Sequence, residues 1–142
     1  MSAPEAAALA GISYRQLDYW GRKGWVTPSQ VERVSASRRV RRYGELDLLR
    51  LGALAHLGRS GLDVAAFGVG VGELDLARRD TLAVVGPTEE LAVVAVADLR
   101  AYVARPGRFV VFDPQPLRAA FACRFAPSTP IASVAETERR IA

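Results

Sequence analysis

Apolar residues recur three and four positions apart through the first half of the chain and run in short unbroken blocks through the second. That change of period predicts helices first and strands later. Ala3 to Ala10 reads as a short helix broken by Gly11. Ser13 is a good N-cap, and Gln16 three residues on completes a capping box. The second helix then runs to about Lys23, with Gly24 at the position that follows a helix end. Helix, glycine-containing turn and helix form a helix-turn-helix. Trp25 to Pro28 reads as a strand entry, residues 29–37 as polar and irregular, and Arg38 to Tyr43 as an extended, arginine-dense piece. Two extended pieces joined by a polar loop make a β-wing. Glu45 to Ser60 is the next helix, its core stripe set by Leu46, Leu49, Ala53 and Leu57 and widened by Leu51 and Leu54. A fourth helix begins at Leu62, and Gly68, Gly70 and Gly72 are expected to interrupt it.

Thr81 to Val85, Leu91 to Val96 and Arg108 to Phe112 read as strands. Short helices are expected over Asp98 to Arg105 and Gln115 to Arg124. A polar spacer covers residues 126–130, and a frayed helix is expected over Val134 to Ile141. The fold class is therefore α+β: an N-terminal winged helix-turn-helix followed by a small α/β module. The expected division is 1–67 for the winged domain, 68–80 for a linker or distorted helix end, 81–125 for the module and 126–142 for a tail.

On a helical wheel the second helix separates two faces. Arg15, Tyr19 and Arg22 share one stripe, with Gln16 and Lys23 at its edge; Ser13, Tyr14, Leu17, Trp20 and Gly24 fall opposite. Such a helix packs by one face and can lie in a DNA major groove by the other. The competing reading of that stripe is a solvated face on which Asp18 pairs with Arg22 at i,i+4. For Gln16, capping and adenine readout compete for one side chain. Leu17, Trp20 and Trp25 are read as core. Charge sharpens the picture. Residues 1–60 hold ten basic and five acidic residues, a balance of +5; residues 61–142 hold nine and ten, a balance of −1. The front half alone suits a polyanion. Arg38, Arg39, Arg41 and Arg42 crowd into five positions, more charge than a soluble edge strand needs, and suit phosphates.

These residues resemble a known family. Ala10 to Trp20, then Gly24 to Ser29, then Arg41-Arg42-Tyr43 and Asp47 to Leu51, occur in the order and spacing of the MerR family of bacterial winged-helix transcription regulators. The Leu17-Asp18-Tyr19-Trp20 variant is similar to that of actinobacterial members. The resemblance covers roughly residues 3–67. It implies a recognition helix in the major groove, with Arg15, Gln16 and Tyr19 at or near it. It also implies a wing on the flanking backbone, with Arg41, Arg42 and Tyr43 near phosphates. Larger relatives carry a long dimerising helix after this domain; here Gly68, Gly70 and Gly72 stand where it would begin.

Other chemistry finds little support. One cysteine, Cys123, and one histidine, His56, leave no thiolate or imidazole set for a metal. His56 has no nucleophile or orienting acid near it in sequence, and Cys123 sits among Ala and Phe as a small hydrophobe. The Gly68 to Gly72 run lacks the strand before it and the Gly-Lys-Ser/Thr after it that a phosphate loop needs. No apolar run is long enough for a membrane span. The expected function is sequence-specific binding of double-stranded DNA, without catalysis or cofactor, by a cytoplasmic, nucleoid-associated regulator. The expected DNA-binding residues are Arg15, Gln16, Tyr19, Arg22, Lys23, Arg38, Arg39, Arg41, Arg42 and Tyr43. Self-association through the C-terminal module, as a dimer or cooperative array, is expected because one small module selects weakly. Two alternatives stay open: an architectural, excisionase-like DNA-bending protein, and a protein-interaction or ligand-sensing protein acting through the α/β module.

Overall fold

The computed structural model describes residues 1–125. The expected spacer at 126–130 and helix at 134–141 lie outside them. Helix α1 (Ala3–Ala10) starts at a capping box in which the Glu5 amide donates to Ser2 Oγ and the Ser2 amide donates to the Glu5 carboxylate. Gly11, at φ 72°, closes it in the left-handed conformation that glycine adopts most cheaply. Helix α2 (Tyr14–Arg22) starts at the expected Ser13–Gln16 box. It buries Leu17 and Trp20.

Strands β1 (Gln30–Arg33) and β2 (Arg39–Arg42) form the antiparallel wing, with Val31 opposite Arg41. The first strand therefore falls later than expected. Trp25 and Val26 are buried anchors of the loop that follows α2, and the strand itself lies in the polar stretch. All four β1 residues are exposed, so no alternation of apolar and polar positions announces it. The wing is tied down at its base. Asp47 accepts from the amides of Ser29 (2.9 Å) and Gly44 (2.8 Å) and from the Ser29 hydroxyl.

Helix α3 (Glu45–Arg59) is central, burying Leu48, Leu49, Leu51, Leu54 and Leu57. Helix α4 (Val64–Gly72) passes without interruption through Gly68 and Gly70 to end at Gly72. The expected break is corrected, and packing explains it. A Cβ on Gly68 would lie 2.3 Å from the Trp25 indole, and one on Gly72 would lie 2.2 Å from the Trp25 carbonyl oxygen. These glycines let the helix meet Trp25 closely, which repays their poor helix propensity.

Strands β3 (Thr81–Val85), β4 (Leu91–Ala95) and β5 (Val110–Phe112) form an antiparallel sheet in the order β4-β3-β5. A single 3-10 turn, Val96–Asp98, leads into a one-turn helix α5 (Leu99–Tyr102), shorter than expected. Helix α6 (Gln115–Phe125) follows β5. One apolar cluster runs from α1 through α3 and α4 into Ala83, Val85, Val110 and Phe112 on one face of the sheet. The other face carries a smaller cluster of Leu82, Val84 and Val94 with Leu99, Tyr102 and Phe109. At Gly52 a Cβ would overlap Leu117, so α6 also sits directly on α3. The winged half and the α/β module thus share a core.

Candidate nucleic-acid interface

The wheel reading of α2 meets the structure at most positions. Arg15, Gln16, Arg22 and Lys23 are exposed, and Tyr19 is half-exposed, while Leu17 and Trp20 are buried beneath them. Ser13, Arg15, Gln16, Tyr19 and Arg22 line a shallow groove along the outer side of the helix. The Tyr19 ring stands edge-on to Trp25 at 5.9 Å, and the Lys23 ammonium lies 5.5 Å from its centroid. These contacts hold the ring and leave the phenol turned outward. Gln16 uses Oε1 for the cap, accepting from the Ser13 amide at 2.9 Å. Tyr14 departs from the expected packing side: it is half-exposed, and its hydroxyl accepts from Arg41 at 2.8 Å.

Asp18 joins helix to wing. Its carboxylate pairs with Arg22 at 2.9 Å, one turn along α2, and with Arg41 at 3.2 Å from β2. Arg41 therefore packs on α2, and its guanidinium also lies 5.6 Å from the Tyr14 ring. Burial by itself lowers the Arg41 pKa, but the Tyr14 hydrogen bond and the flanking groups carry it above its ordinary value.

The arginine run does not form one row. Strand alternation sends neighbouring side chains to opposite faces of the wing. Arg42 pairs with Glu32 at 3.5 Å and lies with Met1 and Phe121 around a surface hollow on the side away from α2. Arg41 and Arg42, expected together near phosphates, take different partners: one clamps α2 and the other pairs within the wing. Arg38 and Arg39 are exposed and have no ion pair among the described residues. Tyr43 is corrected as well. It is 1% exposed, its hydroxyl is buried without a partner among the described residues, and burial raises its pKa. An aromatic at the foot of the wing fills the core beside α3 rather than reaching a phosphate.

Three contributors were not assigned a site role by sequence. Arg33 braces the wing tip by donating to the carbonyls of Ser35 (3.4 Å) and Ala36 (3.3 Å). Asp47 holds the wing's base, and its only sequence signal is an acid in the third position of a helix. The link from Asp18 to Arg41 spans 23 residues, which no local pattern reveals. Among the described residues no cluster of His, Cys, Asp or Glu could hold a metal, and no helix is long and apolar enough to cross a membrane.

A capped helix with an outward polar stripe, reached through a tight turn and flanked by an arginine-bearing hairpin, defines a winged helix-turn-helix domain. Residues 1–66 match the family described as MerR HTH family regulatory protein, and this part of the chain is a MerR-family helix-turn-helix domain. Uncharacterized HTH-type transcriptional regulators from Mycobacterium tuberculosis (two strains) and Mycobacterium bovis are each 38% identical to it over 71 residues. That stretch is 50% of this chain and 31% of each relative, so the match spans about a third of the relatives' length.

Proposed function

We propose that the protein is a transcriptional regulator that binds double-stranded DNA in a sequence-dependent way, acting by binding rather than turnover, on the bacterial nucleoid. The observation that carries this reading is the outer face of α2. Five groups able to donate hydrogen bonds, Arg15, Gln16, Tyr19, Arg22 and Lys23, stand there on a rigid, capped helix whose other side is core. Arg15 and the Gln16 amide read base edges in the major groove; Tyr19, Arg22 and Lys23 reach the groove wall and its phosphates. Arg38 and Arg39 bind backbone phosphate at the wing. Arg41 is a positioning residue that sets the angle between wing and helix.

Arginine is well suited to this division. Its planar fork matches the acceptor pair of guanine, and the same fork matches phosphate. Each neutralised phosphate releases counterions, so affinity falls steeply with salt whatever the sequence, while the base contacts supply discrimination. The test is selection of bound duplexes from a random pool by the full chain, repeated at two salt concentrations. A recurrent site enriched at both salts is expected. A pool that stays random while binding remains strong and salt-sensitive overturns sequence-dependent recognition.

A further inference from the structure

Tyr14 opens α2 and is 53% exposed, although its helix phase predicts the packing side. The side chain is held in place. The Arg41 guanidinium donates to its hydroxyl at 2.8 Å and lies 5.6 Å from its ring. A phenol oxygen accepts and also donates one proton. Arg41 uses the accepting side, and among the described residues no acceptor receives the proton. A cation on the oxygen polarises the O–H bond and makes it a stronger donor.

The place matters as much as the donor. Tyr14 and Asp18, one turn apart, both bond Arg41 of β2, so this flank of α2 is the seam where the helix meets the hairpin. Gln16 marks the opposite flank, where it borders a hollow with Gly11, Ile12 and Arg59. A helix lying in the major groove and a hairpin beside it have one wall of that groove between them, and the wall is a sugar-phosphate strand. The strand meets whatever the seam presents.

We propose that the Tyr14 hydroxyl donates to a backbone phosphate of the strand that crosses the seam between α2 and the hairpin, with Arg41 as the group that aims it. The inference rests on the function proposed above and adds a contact to it. Charge at the seam permits the approach: Arg22 and Arg41 against Asp18 leave one positive charge in excess. The contact carries no sequence information and fixes how α2 sits in the groove. It also has a signature of its own. A lysine or arginine on a phosphate releases counterions, whereas a neutral phenol does not.

Tyr14→Phe keeps the ring beside Arg41 and removes only the hydroxyl, at an exposed position. The full-length variant should bind both the selected and a random duplex about five- to tenfold more weakly than the parent. Its log–log salt slope should equal the parent's. In a second arm, single phosphates of the selected duplex are replaced in turn by an uncharged methylphosphonate. At one position the replacement should weaken the variant less than the parent, by about the factor that the hydroxyl contributed. Equal affinity of variant and parent overturns the proposal. So does a flattened slope, which would mean that the change acts by displacing Arg41. Losses that add at every phosphate also overturn it, leaving Tyr14 as a brace within the protein. A parent that binds no duplex overturns this inference together with the proposed function; the other three outcomes overturn this inference alone.

Discussion

Asp18 and Arg41 are the pair through which helix α2 holds the β1–β2 hairpin, at 3.2 Å between the carboxylate of α2 and the guanidinium of β2. The contact is partly open to water, with side chains 37% and 26% exposed, so its worth to folding is small, about 1 kcal/mol or less. Under the proposed function its worth to DNA binding lies in orientation. Asp18→Asn should leave the unfolding midpoint nearly unchanged. It should strengthen binding to random duplex, because a negative charge leaves the interface, and reduce the ratio of selected-site to random-site affinity. Fluorescence anisotropy on the two duplexes measures both. Equal shifts on each would show that Asp18 contributes charge alone.

Helix and wing should separate by salt as well as by sequence. Arg15→Ala should cost about 1–3 kcal/mol on the selected site and far less on random DNA. Arg38→Ala with Arg39→Ala should weaken both duplexes alike and flatten the log–log salt dependence by about 0.9 for each lost phosphate contact. Binding isotherms across a salt series give both quantities. An unchanged slope in the double variant would remove the wing from the phosphate backbone.

Tyr43 offers a direct contrast between surface and core. Its hydroxyl is buried and has no partner among the described residues, so Tyr43→Phe removes a poorly satisfied polar group and keeps the ring. The variant should match or exceed the parent in stability and bind DNA equally well. Tyr43→Ala should cost about 3–5 kcal/mol, as loss of a buried aromatic does. Urea unfolding of both variants, with anisotropy on the first, checks this; reduced DNA affinity in Tyr43→Phe would return the phenol to the interface.

Local patterns carried much of this fold and long-range contacts did not. Ser13 and Gln16 mark the start of α2 because a cap is a three-residue event, and Leu17 and Trp20 mark its buried side because helix phase is local. The opposite destinations of Arg41 and Arg42 follow from strand alternation. The reading of four arginines as a single patch ignored that period. The burial of Tyr43 depends on where α1 and α3 meet the wing, which adjacent residues do not encode. Gly68 and Gly72 are the clearest case. Their helix-breaking tendency is visible in the sequence, and Trp25, whose ring and carbonyl make them necessary, lies more than 40 positions away in the chain. Four-residue spacing of the glycines was the available sign, since it puts both on one helix face.

That packing is itself testable. A methyl group on Gly72 would stand 2.2 Å from the Trp25 carbonyl oxygen, a backbone atom that cannot rotate aside. The gain in helix propensity, near 1 kcal/mol, is outweighed by overpacking. Gly72→Ala should therefore lower stability by about 1–3 kcal/mol, and Gly68→Ala, pressed against the indole of the same Trp25, should do likewise. Trp fluorescence during urea unfolding reports both, and stabilisation by either change would contradict the close approach.

The last prediction concerns pH and the turn before β4. Glu90 receives hydrogen bonds from the Thr88 hydroxyl and amide, and Arg105 pairs with it at 2.6 Å. The Thr88 hydroxyl, with Arg105 next, holds the Glu90 carboxyl at about 2, well under its ordinary 4.5. A carboxylate with a depressed folded-state pKa binds fewer protons folded than unfolded, so its stabilisation is complete above the unfolded value and fades as pH falls. For Glu90 that window runs from 4.5 down to about 2. Glu90→Gln should therefore unfold at lower urea than the parent at neutral pH, and the gap should narrow through that window. Water reaches the pair, so the gap is modest and shrinks further in high salt. A gap that is constant from neutral pH to acid would mean that the Glu90 charge contributes nothing to holding the turn.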